Sequence, residues 1–189
     1  MSRRRAELVS IAADLFAERG YAGVTVDDIG VAAGVSGPAL YHHFTSKEAL
    51  LGEMLIGISE YLLDGGRSVV AAGGDDVLER LVRFHAEFAV DDRSLITVHF
   101  RDLVHTSATD LDRVRSLQGE YVALWADAIR RRRPAYSVEV AAAAAHAVFG
   151  LINSTPFSAR LPRDEMVELL CSLALGGIGA PNGHEAHAC

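Results

Sequence analysis

Apolar residues recur along this chain with helical spacing almost throughout. Leu8, Ile11, Ala12, Leu15 and Phe16 fall at i, i+3, i+4, i+7 and i+8, one face of a first helix. Gly20 is placed to stop it in a left-handed conformation. Thr25 and Asp28 have capping-box spacing, which predicts a short second helix through Ala33, broken at Gly34. Ser36 predicts the N-cap of a third helix with Pro38 in its first turn, where a missing N–H costs little. Thr45 and Glu48 repeat the capping-box spacing before a longer helix over 46–63.

The stretch 64–76, "DGGRSVVAAGGDD", carries two Gly-Gly pairs and predicts a boundary or mobile connector. Helical patterns then run over about 77–90, 93–106, 110–133, 137–154 and 163–175. Asp110 and Asp112 open the third of these and Arg130 to Arg133 close it, complementing the helix dipole at both ends. Ser137 caps the fourth and Pro156 ends it. From Gly176 onward the periodicity is lost, which predicts a frayed tail, flexible over 181–189. Strand signals are weak. The expected fold class is all-α, with about nine helices. A three-helix helix-turn-helix domain over 1–47, linked by the helix over 46–63, precedes a larger helical domain over 48–180.

Half of the 189 residues are apolar, enough to bury a substantial core. The net charge of -7 argues against a broadly basic nucleic-acid coat but leaves room for a local patch. Two cysteines, Cys171 and Cys189, make no disulfide framework. The N-terminus lacks a signal-peptide pattern and no uncharged apolar run reaches about 18 residues, so a cytoplasmic location is expected.

Helix, Gly34 turn and helix is the geometry of a helix-turn-helix, whose second member lies in the major groove with its N-terminal residues toward the bases. Gly37, Pro38 and Ala39 are small enough for close backbone approach to a duplex. Tyr41 and His42 are placed to bond phosphates, while Leu40 and Phe44, four apart, face a core. The residues "TVDDIGVAAGVSGPALYHHFTSKEALL", preceded by "LFAERGYAGVTV", resemble the TetR family of bacterial transcriptional regulators over roughly the first 50 positions. That resemblance implies that Thr25, Ser36, Tyr41, His42 and Lys47 contact phosphate or position the recognition helix, and that Pro38 and Ala39 touch bases. Thr25 and Lys47 also sit at helix N-termini, which favour anions. Arg3, Arg4 and Arg5 read as a flexible basic arm able to reach a phosphate or the minor groove. Two departures stand out. Gly30 replaces the family's usual Ala, and Pro38 stands where a hydroxyl or small residue is common.

The family architecture implies that the remaining helices bind a small effector and form a homodimer, here through about 137–154 and 163–175. Five consecutive alanines and Gly150 in the former allow close helix approach. Polar groups on apolar faces mark a candidate effector pocket. His85 and Phe88 share one face, and His99 and Leu103 another, with Phe100 beside His99. Tyr121 and Trp125 are one turn apart, as are Phe149 and Asn153. Aromatics with a few convergent polar groups suit a small hydrophobic effector. Arg101, Arg113 and Arg115 could pair a ligand carboxylate, or neighbours such as Asp102 or Asp112.

The resulting expectation is a regulator, and a repressor in particular, on a palindromic operator, released by that effector. A protein partner or a metal as the controlling agent are alternatives. The tail's His184, His187 and Cys189 have a metal-like spacing, but no metal or cofactor site is assigned. A helical enzyme is the remaining alternative. Neither a Gly-x-Ser-x-Gly elbow nor a phosphate-binding Gly-rich loop occurs, so no enzymatic activity is expected.

Overall fold

The computed structural model describes residues 3–36, 40–158 and 160–179. Among them no strand occurs and the fold is all-α, as the periodicity predicts. The helices are α1 (Arg3–Arg19), α2 (Val26–Ala32), α3 (Lys47–Ala71), α4 (Val77–Asp91), α5 (Arg93–Asp102), α6 (Ala108–Arg132), α7 (Val138–Ile152), α8 (Thr155–Ser158) and α9 (Arg163–Gly179). Short 3₁₀ turns occupy Tyr21–Gly23 and Leu103–His105.

The chain forms two compact units. The first comprises Met1–Asp64 and Asp92–Glu120. Its core holds Leu8, Ala12, Phe16, Ile29, Leu40 and Phe44 together with Leu50, Leu51, Ile96 and Val114. Leu8, Ala12 and Phe16 are the α1 stripe read from the sequence, and burying it is what stabilises a short amphipathic helix. The second unit comprises Gly65–Asp91 and Tyr121–Cys189. There α4 packs on α7 and α9, and Leu81, Val82, Ala89, Ala141, Ala145, Leu170 and Ala174 are buried in the core of the unit with Trp125 and Ile129. Two ion pairs tie α4 to α9: Arg83 to Glu168 at 2.8 Å and Arg163 to Asp91 at 2.6 Å.

Several boundaries differ from the sequence expectation. Gly20 ends α1 with φ 80 and ψ 151, which is glycine territory but not the left-handed helical region. The longer helix is capped by Ser46, one residue after Thr45, whose Oγ accepts from Ala49 N–H at 3.0 Å. Its far end is the larger surprise. The first Gly-Gly pair of the expected connector does not break the helix; α3 continues through Gly65 and Gly66 to Ala71, and the turn falls at Gly73 (φ 66) and Gly74 (φ 102). A Cβ on Gly65 would overlap the Phe84 ring, and one on Gly66 would stand 2.8 Å from Cε2 of Tyr121. The pair is thus a notch for two aromatic rings in the second unit, and packing outweighs the low helix propensity of glycine.

The helix after Ser137 stops at Ile152, and Pro156 lies inside the single turn of α8, where Thr155 Oγ1 donates to Ala89 O at 2.6 Å. The last helix passes through Gly176 and Gly177 to Gly179, because Ile178 is buried and anchors it. The tail from residue 180 onward, with its metal-like spacing, lies outside the described residues, as does Ala159.

Candidate nucleic-acid interface and effector site

The capping box at α2 is present in full. Thr25 Oγ1 accepts from Asp28 N–H at 3.1 Å, and the Thr25 N–H donates to Asp28 Oδ2 at 2.8 Å. The Thr25 hydroxyl also donates to Asp28 Oδ2, and these bonds hold the Asp28 carboxyl below its ordinary range. Gly34 turns the chain with φ 66, and the Val35 N–H returns to Gly30 O at 2.9 Å. The Leu40 N–H bonds Ser36 O and the Phe44 N–H bonds Leu40 O, which frames the next helical segment. Leu40 and Phe44 are buried, and Tyr41 and His42 on the other side are exposed. Gly37, Pro38 and Ala39, the expected base contacts, lie outside the described residues.

Three cationic candidates are engaged by the fold. Arg3, Arg4 and Arg5 belong to the first turn of α1 and are not a flexible arm. Arg4 donates to Ala33 O at 2.8 Å and pairs with Glu7. Arg5 forms a two-point ion pair with Glu53, donates to His43 O at 2.5 Å and lies 4.4 Å from the centre of the Phe44 ring. Its guanidinium is a clamp that holds the end of the 40–44 segment to α1 and α3. Lys47 Nζ donates to Tyr21 O at 2.9 Å and Val24 O at 2.7 Å, and rests 4.1 Å from the Tyr21 ring centre. Two of the three ammonium donors thus serve the turn that leads into Thr25.

The second unit holds the candidate effector residues His85, Phe88, Tyr121, Trp125, Phe149 and Asn153. His85 is buried, and its two ring nitrogens meet different partners: Nδ1 lies 3.2 Å from the Tyr121 hydroxyl and Nε2 lies 3.1 Å from Asn153 Oδ1. An amide oxygen only accepts, so Nε2 carries the proton and Nδ1 accepts from the Tyr121 O–H. Burial keeps the imidazole neutral, lowering its pKa to about 4 against a smaller opposing effect of Asn153. Burial likewise pushes the Tyr121 phenol well above its ordinary range.

Phe149 stacks on His85 at 4.9 Å and on Tyr121 at 5.5 Å, and Trp125 meets the Phe149 ring edge-on at 5.0 Å. Phe88 packs 6.4 Å from His85. The Trp125 indole N–H is buried and forms no hydrogen bond of good geometry, although its proximity to the Tyr121 oxygen slightly favours the phenolate. This leaves a buried donor inside the apolar nest. His99, Phe100 and Leu103 lie in the first unit. His99 pairs with Gln118, and Phe100 is 63% exposed.

A cleft of about 410 Å³ in the second unit is lined by Asp76, Arg80, Arg83, Glu168 and Cys171, among others. Its arginines are already paired, with Asp76 at 3.1 Å and Glu168 at 2.8 Å, so it is a poor match to an apolar ligand. Of the other arginines, Arg113 pairs with Glu60, Arg132 with Glu79, and Arg133 lies over Tyr136. Among the described residues no group of His, Cys, Asp and Glu could hold a metal.

In α7 only one stripe, Ala141, Ala145, Val148 and Ile152, is buried within the chain. Val140, Ala143, His146, Ala147 and Gly150 are exposed, as are Leu169 and Leu173 on α9. Val138–Ser158 is long and apolar enough to cross a membrane by length and composition alone, with mean hydropathy 1.3. A single such stretch is weak grounds for a membrane span, and core or interface helices share its composition.

A capped helix, a glycine turn and an amphipathic segment with a buried Leu40–Phe44 edge define a helix-turn-helix protein with a larger all-helical remainder. The chain belongs to the TetR family: the model of bacterial regulatory proteins of the tetR family matches residues 8–54, and that of the tetracyclin repressor-like C-terminal domain matches residues 71–178. It is 39% identical over 127 residues to the HTH-type transcriptional repressor KstR2 of Rhodococcus jostii, a match spanning 66% of this chain and 62% of that relative. A TetR-family transcriptional regulator from Bordetella parapertussis superposes with TM-score 0.82 and 26% identity, covering 97% of this chain and all of that one. The ketosteroid transcriptional regulator KstR2 of Mycobacterium tuberculosis gives TM-score 0.74 at 25% identity, covering 94% and 95%.

Several features had escaped the sequence reading. These are the Gly65–Gly66 notch, the Arg5–Glu53 clamp, the Ser107 cap on α6 and the links from Arg101 and Asp102 to α1 and its following turn. Only the Ser107 cap had a local signal, its three-residue spacing to Asp110.

Proposed function

We propose that the protein is a cytoplasmic, homodimeric DNA-binding repressor that holds a palindromic operator and is released by a small hydrophobic effector. The observation that carries this reading is the 25–47 segment. A capped α2 N-terminus, an exposed Tyr41–His42 edge and a buried Leu40–Phe44 edge form a surface suited to phosphates and a groove. Thr25, Ser36, Tyr41, His42, Arg3 and the third Lys47 donor position the backbone, and Gly37, Pro38 and Ala39 read bases. Arg4 and Arg5 contribute chiefly by fixing the head, since their guanidiniums are spent on Ala33 and Glu53. With so few cations the salt slope is modest.

Dimerisation uses the exposed small and apolar faces of α7 and α9, because a two-fold operator needs a two-fold protein. The effector enters beside His85, Tyr121, Trp125 and Phe149. A flat apolar body replaces ring contacts, and an oxygen acceptor meets the Trp125 N–H. The relative described as a ketosteroid regulator agrees with a ligand of that kind. Selection from random duplexes at physiological salt tests the DNA reading, and failure to enrich any near-palindromic sequence refutes it. Thermal-shift screening of apolar ring and acyl compounds, followed by release from the selected duplex, tests the effector.

A further inference from the structure

The end of α5 grips the helix-turn-helix without being part of it, and all the groups concerned lie in the first unit. Arg101 donates to Ala17 O at 3.2 Å and to Phe16 O, two carbonyls in the last turn of α1. A guanidinium there adds donors at the C-terminal carbonyls of the helix, where Phe16 O also accepts from the Gly20 N–H at 2.8 Å, and sits at the negative end of the dipole. Asp102 orients it, accepting from Arg101 Nε at 3.2 Å and from Nη2 at 3.1 Å. The Asp102 carboxylate is almost fully buried and also receives the Tyr21 N–H at 3.5 Å, the long limit for such a bond. His105 stacks on the Tyr21 ring with centroids 5.0 Å apart and planes 18° from parallel. A second support for Tyr21 is Lys47, whose ammonium lies 4.1 Å from the ring centre and holds the Tyr21 and Val24 carbonyls just before the Thr25 cap.

We propose that Arg101, Asp102 and His105 form a latch that positions the helix-turn-helix for DNA, acting through Tyr21 and Lys47 without touching the duplex. The proposal rests on the DNA-binding reading above and adds positioning residues to it. A buried carboxylate with an ion partner is costly unless its partners stay in place, so the latch has one preferred geometry. Breaking it frees the Tyr21–Gly23 turn and with it the Lys47 and Thr25 groups that face phosphate.

The test uses full-length protein and a duplex obtained by selection, with wild-type binding as the check on the underlying reading. Asp102→Asn keeps the side-chain shape but removes the charge that orients Arg101. It is expected to weaken binding roughly ten-fold while the slope of log affinity against log salt stays unchanged. Arg101→Ala behaves the same way, and Arg101→Lys recovers part of the loss because a cation still meets the α1 carbonyls. Hydrogen exchange rises over residues 20–34 and stays at wild-type levels in α7 and α9.

Unchanged affinity in both Asp102→Asn and Arg101→Ala overturns the proposal. So does a fall of about 0.9 in the salt slope for Arg101→Ala, which marks a direct phosphate contact. Faster exchange throughout α7 and α9 also overturns it, in favour of a general structural role. If wild type shows no preferred duplex, the DNA-binding reading fails first, and the exchange pattern alone decides whether the latch holds the 20–34 segment.

Discussion

Replacing a glycine in mid-helix by alanine ordinarily stabilises by about 0.5–1 kcal/mol, because alanine loses less backbone entropy on folding. The helix α3 offers that substitution in two settings. Gly57 is exposed and a Cβ there meets nothing within 4 Å. Gly57→Ala therefore gains the full propensity term, which for a chain of this size raises Tm by about 2–4 °C per kcal/mol. At Gly65 the same Cβ would overlap Cζ of Phe84 and stand 2.7 Å from each of its Cε atoms. The half-buried Phe84 ring must tilt away from the helix and give up its contact with it, and such overpacking costs about 1–3 kcal/mol. Subtracting the propensity gain leaves Gly65→Ala less stable than wild type, by up to roughly 2.5 kcal/mol. The assay is thermal unfolding followed by far-ultraviolet circular dichroism, at one fixed protein concentration because association would shift Tm. The prediction is one of sign: Tm rises for Gly57→Ala and falls for Gly65→Ala. A Gly65→Ala protein as stable as Gly57→Ala would mean that Gly65 is no notch and that the Phe84 contact is not required by the fold.

Other perturbations test the remaining parts. Because the His85 pKa is about 4 when folded and near 6.5 when unfolded, acidification protonates the unfolded chain first. Stability present above pH 6.5 is therefore lost as pH falls toward 4, by about 3 kcal/mol. Burial lowers His99 in the same direction. Urea unfolding at pH 7 and pH 4.5 checks this, with His85→Gln expected to show a clearly smaller pH dependence than wild type; equal dependence contradicts the buried neutral imidazole. Thr25→Ala loses the α2 cap and about 1 kcal/mol, and an unaltered unfolding midpoint would show that the cap contributes nothing. Lys47→Ala weakens DNA binding about equally on every sequence and also speeds exchange at Val24 to Asp28, since its ammonium holds that turn. A change of sequence preference would reassign it to base reading. Leu173→Asp on the exposed face of α9 converts a dimer to monomer in sedimentation, and a dimer that survives it lies elsewhere.

Local chemistry by itself determined a good deal of this protein. The 3.6-residue spacing of Leu8, Ala12 and Phe16 gave α1 its buried stripe. Thr25 with Asp28 and the turn at Gly34 specified α2, and Leu40 and Phe44 specified which edge of the following segment is buried. Each depends on contacts within a few residues, so a linear reading captures it. The family followed from the same stretch.

Tertiary structure decided what depends on distant partners. Glycine pairs look alike in sequence, yet Gly65–Gly66 stays helical because Phe84 and Tyr121 fill the space beside it, whereas Gly73–Gly74 turns the chain. Arg3 to Arg5 read as a free arm, but Glu53 and Ala33, 48 and 29 residues away from Arg5 and Arg4, draw two of them into the fold. Arg101 and Asp102 look like a surface pair, and only folding brings them to the end of α1. The five alanines of α7 allow another helix to approach closely, while the structure buries a single stripe within the chain and leaves the other face exposed. Helix formation is governed by neighbours at i+3 and i+4. Which rings, charges and helix ends meet is governed by contacts that no short window contains.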